Sequence, residues 1–161
     1  MSYELRLERL IDATPEEVFD AFTDAEAQKE WYRDHDGWKV EAGGDLRAGG
    51  RWEVAFGPPG QAPYREANTF TEVKRPHRLA YESRFHMPDG STFDTALVVT
   101  FEARHGKTLL TIRQSGFETE QDRNDHQGGW PGFIDRLERV VAARKGARSA
   151  RKGARSASAR S

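Results

Sequence analysis

Residues 11–24 read Ile11-Asp-Ala-Thr-Pro-Glu-Glu-Val-Phe-Asp-Ala-Phe-Thr-Asp24, and within this stretch the chain must change from strand to helix. Upstream, Tyr3, Leu5 and Leu7 alternate with Glu4, Arg6 and Glu8, the period-2 pattern of a half-buried strand running to Ile11. Thr14 then offers an N-cap hydroxyl, Pro15 fills the first helical position with its φ already set, and Glu17 stands where a capping box closes. Val18, Phe19 and Phe22 fall on one helical face, and a second short helix is expected from Glu26 to Trp31, before the turn at Arg33-Asp-His-Asp-Gly37.

From Trp38 onward the pattern is one of strands parted by turn residues, with six expected at about 38–42, 50–56, 65–73, 78–86, 93–102 and 107–115. Asp89-Gly90 and Gly106 suit hairpin turns that need positive φ, and Gly57-Pro-Pro-Gly60 makes a longer loop, so sequential strands pair as an antiparallel meander. Past Gly116, the residues Phe133, Ile134, Leu137, Val140 and Val141 form a wide apolar stripe at helical spacing, as on a helix laid against a sheet. Gly128, Gly129 and Pro131 allow that helix either to begin near Trp130 or to run kinked from near Asp122. The expected class is therefore α+β: a seven-stranded curved antiparallel sheet wrapped on a long C-terminal helix, in the order strand, two helices, six strands, helix.

The 161 residues suit one domain, expected over residues 1–143, followed by a tail over 144–161. That tail holds seven of the 25 basic residues and no acid, which leaves 18 basic against all 26 acidic residues, or −8, in the body. An acidic body argues against a broad nucleic-acid surface on the fold itself. The tail carries a seven-residue repeat, Ala143-Arg-Lys-Gly-Ala-Arg-Ser149 and again Ala150-Arg-Lys-Gly-Ala-Arg-Ser156, with nothing larger than alanine to bury, so it is expected to be disordered and to bind polyanions weakly. The absence of cysteine excludes disulfides, thiolate metal sites and cysteine nucleophiles. No run approaches the roughly 18 apolar residues of a membrane span, and the expected location is the cytoplasm.

Five segments bear on ancestry together with the stretch at 11–24: Trp31, Asp45-Leu-Arg-Ala-Gly-Gly50, Arg75-Pro-His-Arg-Leu-Ala-Tyr81, Gly106-Lys-Thr-Leu-Leu-Thr111 and Gly129-Trp130. Taken in this order over residues 3–142, they resemble the activator of heat-shock protein 90 ATPase homologue family within the START-like, helix-grip superfamily. The resemblance implies the helix-grip fold and a hydrophobic cavity between sheet and C-terminal helix, in which many members of the superfamily hold lipids, sterols, polyketides or other aromatic molecules. The family's name further implies a chaperone partner, although fold analogy alone does not transfer that activity.

A helix-grip sheet is too strongly curved for one helix to fill, so the chain's aromatics, four Trp, four Tyr and nine Phe, are expected to line a void. Strand parity puts Trp52 with Phe56, and Tyr81 with Phe85; Trp31, Phe70, Phe133 and Leu137 complete the expected apolar wall, with His86, Gln114 and Asp135 as polar groups that orient a ligand. The expected function is binding of a hydrophobic or aromatic small molecule without cofactor or metal. Two alternatives are a cyclase- or isomerase-type enzyme with His86 or His126 as proton carrier, and a co-chaperone-like module that stimulates a heat-shock protein 90 ATPase. Asp122 and Asp125 stand at helical spacing from His126 as a weak acid/base set. The Asp34-His35-Asp36 loop lacks a third metal ligand at a defined spacing, the glycine that a P-loop needs at position 101 is Phe101, and there is no Gly-x-Ser-x-Gly elbow.

Overall fold

The computed structural model describes the backbone of residues 2–159 and the side chains of residues 2–150. Strand β1 (Tyr3–Ile11) leads into helix α1 (Pro15–Thr23), and the capping box closes: the Glu17 N–H donates to Thr14 Oγ1 at 3.2 Å and the Thr14 N–H donates to the Glu17 carboxylate at 3.0 Å. Asp24 ends α1 and caps α2 (Ala25–Trp31), accepting from the Ala27 N–H at 3.0 Å, so the two helices follow one another without a loop.

The strands β2 (Lys39–Gly44), β3 (Arg51–Gly57), β4 (Tyr64–Lys74), β5 (Arg78–His86), β6 (Thr92–Arg104) and β7 (Lys107–Phe117) follow as a meander. The β6–β7 hairpin turns through His105 and Gly106 at φ 50 and 81, the two-residue geometry that favours glycine. β1 returns to pair with β7, which gives one antiparallel sheet in the order β1-β7-β6-β5-β4-β3-β2. Gly44 is required by close approach, because a Cβ there would run into the Arg51 carbonyl and the Trp52 Cα.

Helix α3 (Glu120–Ala159) starts at Thr119, whose Oγ1 accepts from the Asp122 N–H at 3.1 Å, and it runs through Pro131. The early start is therefore the correct one of the two expected. Trp130, Ile134, Leu137 and Val141 fall on its buried stripe and pack against α1, α2, β1 and β7. This is the helix-grip arrangement that the resemblance implied.

The observed strands coincide with the expected ones or differ from them by one or two residues at their ends. A larger difference lies at the tail, where α3 does not stop at residue 143. Its next turns pass over acidic residues at both ends of α1, where Arg144 pairs with Asp24, Lys145 Nζ with the Asp12 carbonyl at 3.1 Å, and Arg148 Nη1 with Glu17 at 4.0 Å. Residues 144–150 continue α3, with basic side chains at helical spacing beside the body's acids. The side chains of the second repeat beyond Ala150, and residues 160 and 161 altogether, lie outside the described residues. No helix among the described residues is long and apolar enough to cross a membrane.

Candidate functional site

Helices α1, α2 and α3 cover the concave face unevenly, and this decides where space remains. Over the β3–β5 end nearest α1 and α2 the sheet is filled. Trp31, only 1% exposed, stacks on Phe22 at 5.2 Å and donates its indole N–H to the Ala21 carbonyl at 3.1 Å. Trp52 donates to Gln28 Oε1 at 2.7 Å, while Gln28 Nε2 donates to the Phe22 carbonyl at 2.9 Å. The residual gap beside Trp31, Trp52, Phe70 and Tyr81 is about 20 Å³, room for one water at most. Those four expected cavity residues are packed core instead, because Trp31 and Gln28 of α2 close the space over Trp52, Phe70 and Tyr81.

Where α2 ends, the sheet curves away from α3 and leaves a cavity of about 360 Å³. Phe56 of β3, Tyr64 and Glu66 of β4, Ser83 and Phe85 of β5, Phe93 and Leu97 of β6 and Gln114 of β7 form its sheet wall. From the other side come Tyr32, Asp34 and Trp38 after α2, and Asp122, Asp125, His126, Trp130 and Phe133 of α3. Of the eleven expected residues, then, Phe56, Phe85, Gln114 and Phe133 line the open space. Leu137 is fully buried one turn beyond it. His86 follows Phe85 directly, and since successive strand residues point to opposite faces it turns away from the cavity. Asp135 also lies elsewhere, on the exposed side of α3, where it takes Arg9 Nη1 at 2.8 Å.

The cavity's polar groups differ in how far their bonding is already satisfied. Gln114 donates to Thr95 Oγ1 at 2.9 Å and accepts from Trp130 Nε1 at 3.0 Å, so it fixes the wall rather than reaching into the space. His126 sits against Phe85, Phe93 and Phe117 with ring centroids 5.2–5.3 Å away, and its Nδ1 lies 3.2 Å from the Asp122 carbonyl. A carbonyl only accepts, so the proton belongs on Nδ1 and Nε2 is left as a bare acceptor. Burial lowers the His126 pKa, which keeps the ring neutral.

Glu66 is the site's unusual group, and the expected set did not include it. It projects inward on β4 between Val54 and Phe85, flanked on the same face by Tyr64 and Asn68. The Asn68 amide approaches at 3.5 Å and the Tyr32 hydroxyl is its other partner. Burial raises its pKa to about 7, and pushes the hydroxyls of Tyr32 and Tyr81 well above the ordinary tyrosine value. The signal in the sequence is the even parity of Tyr64, Glu66, Asn68 and Phe70. It was obscured because β4 carries a bulge between Phe70 and Glu72, after which Val73 of odd parity faces inward.

The model of the activator of Hsp90 ATPase homolog 1-like protein family matches residues 12–142, and the chain belongs to this family. Among solved structures, protein CV1439 from Chromobacterium violaceum is 25% identical over 86% of this chain and 96% of its own, with a TM-score of 0.75. An AHSA1-like protein from Aeromonas hydrophila is 28% identical over 89% of this chain and 94% of its own, at 0.71. The AHSA1 protein from Silicibacter pomeroyi, 22% identical over 88% and 99% at 0.74, shares the fold. No curated protein matches the chain.

Proposed function

We propose that the protein binds a hydrophobic or aromatic small molecule in the cavity between β3–β7 and the first half of α3. The observation that carries this reading is an open space of about 360 Å³ with eight Phe, Tyr and Trp side chains in its wall, in a fold whose other apolar surfaces are closely packed. A space of this size suits a ligand of one or two rings, and burial of its surface at about 25 cal/mol per Å² supplies the affinity.

The test is a pair of measurements. Thermal shift and native mass spectrometry against a panel of aromatic and lipid-like compounds are expected to give a ligand that raises Tm. Gly129 lines the cavity and a Cβ there meets nothing within 4 Å, so Gly129→Leu is expected to fill the space and abolish that shift without loss of folding. A panel that leaves Tm unchanged, or a ligand whose binding survives Gly129→Leu, would refute the reading.

One observation favours a second reading, proton-transfer chemistry of the cyclase or isomerase type: Glu66 and a neutral His126 both line the same cavity. A carboxyl group whose pKa lies near neutrality is suited to give and take a proton. On this reading Glu66→Gln abolishes turnover of a bound carbonyl compound while its Kd is retained; unchanged turnover excludes it.

A further inference from the structure

The charged part of the cavity wall has one sign. Asp34, Glu66, Asp122 and Asp125 line it, and no Lys or Arg does. The basic group present, His126, is held neutral by its burial among three phenyl rings. A pocket for a fatty acid or another anion needs a cation or a cluster of free donors at its polar end. This one has no cation, and its uncommitted donors, the Tyr64 and Ser83 hydroxyls and the Trp38 indole N–H, carry no charge.

The four carboxylates are not equivalent. Asp34 is engaged by Arg136 at 3.4 Å and Asp125 by the neutral Gln121 Nε2 at 2.8 Å, both exposed to water, while Asp122 stands in the first turn of α3 without a Lys or Arg partner among the described residues. Glu66 lies half-buried on the sheet wall, and among the described residues no Lys or Arg pairs with it. Its partners are the neutral groups of Tyr32 and Asn68. Around it stand the faces and edges of Tyr32, Phe56, Tyr64 and Phe85, and Tyr32 packs on Phe56 at 5.2 Å and Phe56 on Tyr64 at 5.5 Å. Aromatic faces attract cations, and a half-buried carboxylate without a counter-charge is held at a cost. An ammonium group placed here answers both.

We propose that the cavity's ligand is a cation, an aromatic or aliphatic body bearing one protonated or quaternary amine, with the ammonium held between the Glu66 carboxylate and the surrounding rings. This rests on the binding reading above and deepens it. The free protein keeps Glu66 largely protonated below neutrality, so the cation enters with release of that proton. The groups that face Glu66 are Tyr32 from the end of α2, Asn68 on its own strand, Tyr81 and Ser83 from β5 and, across the cavity, His126, Asp122 and Asp125 from α3. The tyrosines stay neutral throughout. Protonation of His126 in acid adds a like charge and so weakens cation binding in the same direction. Between about pH 6 and about pH 8 the ionised fraction of Glu66 rises about tenfold, and affinity for a cation should rise by the same factor.

The experiment uses three probes of one shape: tryptamine, tryptophol and indole-3-acetate, which carry a cation, a neutral hydroxyl and an anion on the same ring. Titration calorimetry on the full chain at about pH 8 is expected to place tryptamine about tenfold or more tighter than tryptophol, with indole-3-acetate weakest. Glu66→Gln, which keeps the shape of the side chain, should bring tryptamine within about threefold of an unchanged tryptophol and flatten its pH dependence. Should that variant not fold, the rise in tryptamine affinity between the two pH values, set against a flat tryptophol, supplies the same evidence from the wild-type chain. Tryptophol or indole-3-acetate binding as tightly as tryptamine overturns the cation and leaves the cavity reading standing. No binding by any of the three overturns both. A tryptamine preference that persists undiminished in Glu66→Gln overturns the role of Glu66.

Discussion

Replacing Glu66 by glutamine should remove a loss of stability that the wild-type protein suffers as the solution is made less acidic. The folded-state pKa of Glu66, about 7, lies above the ordinary value of 4.5, so the native state holds this proton after the unfolded chain has released it. Stability from the protonated form is complete below pH 4.5, declines as pH rises toward 7, and is gone above it. At about 1.36 kcal/mol per tenfold in the protonation equilibrium, the full difference is about 3 kcal/mol, and the water that the cavity admits reduces the expected loss to about 2–3 kcal/mol. Glutamine does not titrate and keeps the side chain's volume. Urea unfolding of both proteins at about pH 5 and about pH 8 measures the effect as a difference of differences, in which contributions common to both cancel. In thermal unfolding the same quantity is about 6 °C in Tm. Parallel pH profiles for wild type and Glu66→Gln would show that the carboxylate is as well solvated as in the unfolded chain. The counter-charge argument for a cationic ligand would then fail with it.

His126 acts with the opposite sign: burial lowers its pKa below 6.5, so its stabilisation is present above that value and is lost as pH falls through the folded-state pKa, and His126→Phe should make unfolding below about pH 6 less acid-sensitive than in the wild type. Trp31→Ala should cost about 3–5 kcal/mol by chemical denaturation, since it empties a site closed on all sides by Phe22, Tyr32 and Phe133. Truncation after Ala143 removes the ion pairs of Arg144, Lys145 and Arg148; because each is partly exposed, the loss should be only about 1–2 kcal/mol and should shrink in high salt.

Local chemistry is what the sequence conveys most directly. The Thr14-Pro15-Glu16-Glu17 cap, the His105-Gly106 hairpin and the alternation along β3, β5 and β7 each depend on residues within a few positions of one another. A linear reading therefore finds them, and the order of elements with the family's segments completes the architecture. The site was less legible. Phe56, Phe85, Gln114 and Phe133 face the open space, yet Trp52, Phe70 and Tyr81 of the same sheet face, with Trp31 of α2 against them, lie in a filled region. What separates the two groups is where α2 stops covering the sheet, and that depends on how α1 and α2 pack against it.

Glu66 shows the same limit in another form. Its inward parity is present in the sequence, but the bulge after Phe70 breaks the alternation by which a strand is read, and its raised pKa arises only from Tyr32, Asn68 and the rings folded around it. The repeat at the C-terminus shows the reverse case. Composition gave no reason for it to be ordered, because a helix of Ala, Gly, Ser and basic residues has nothing to bury. Asp12, Glu17 and Asp24 supply that reason only once the fold has brought them alongside α3. By itself, then, the sequence determined the elements, their order and the family, since these rest on short-range geometry and pattern. Only the tertiary structure decided which face is filled, which is empty and which carboxylate lacks a counter-charge, since each of these is a sum over neighbours far apart along the chain.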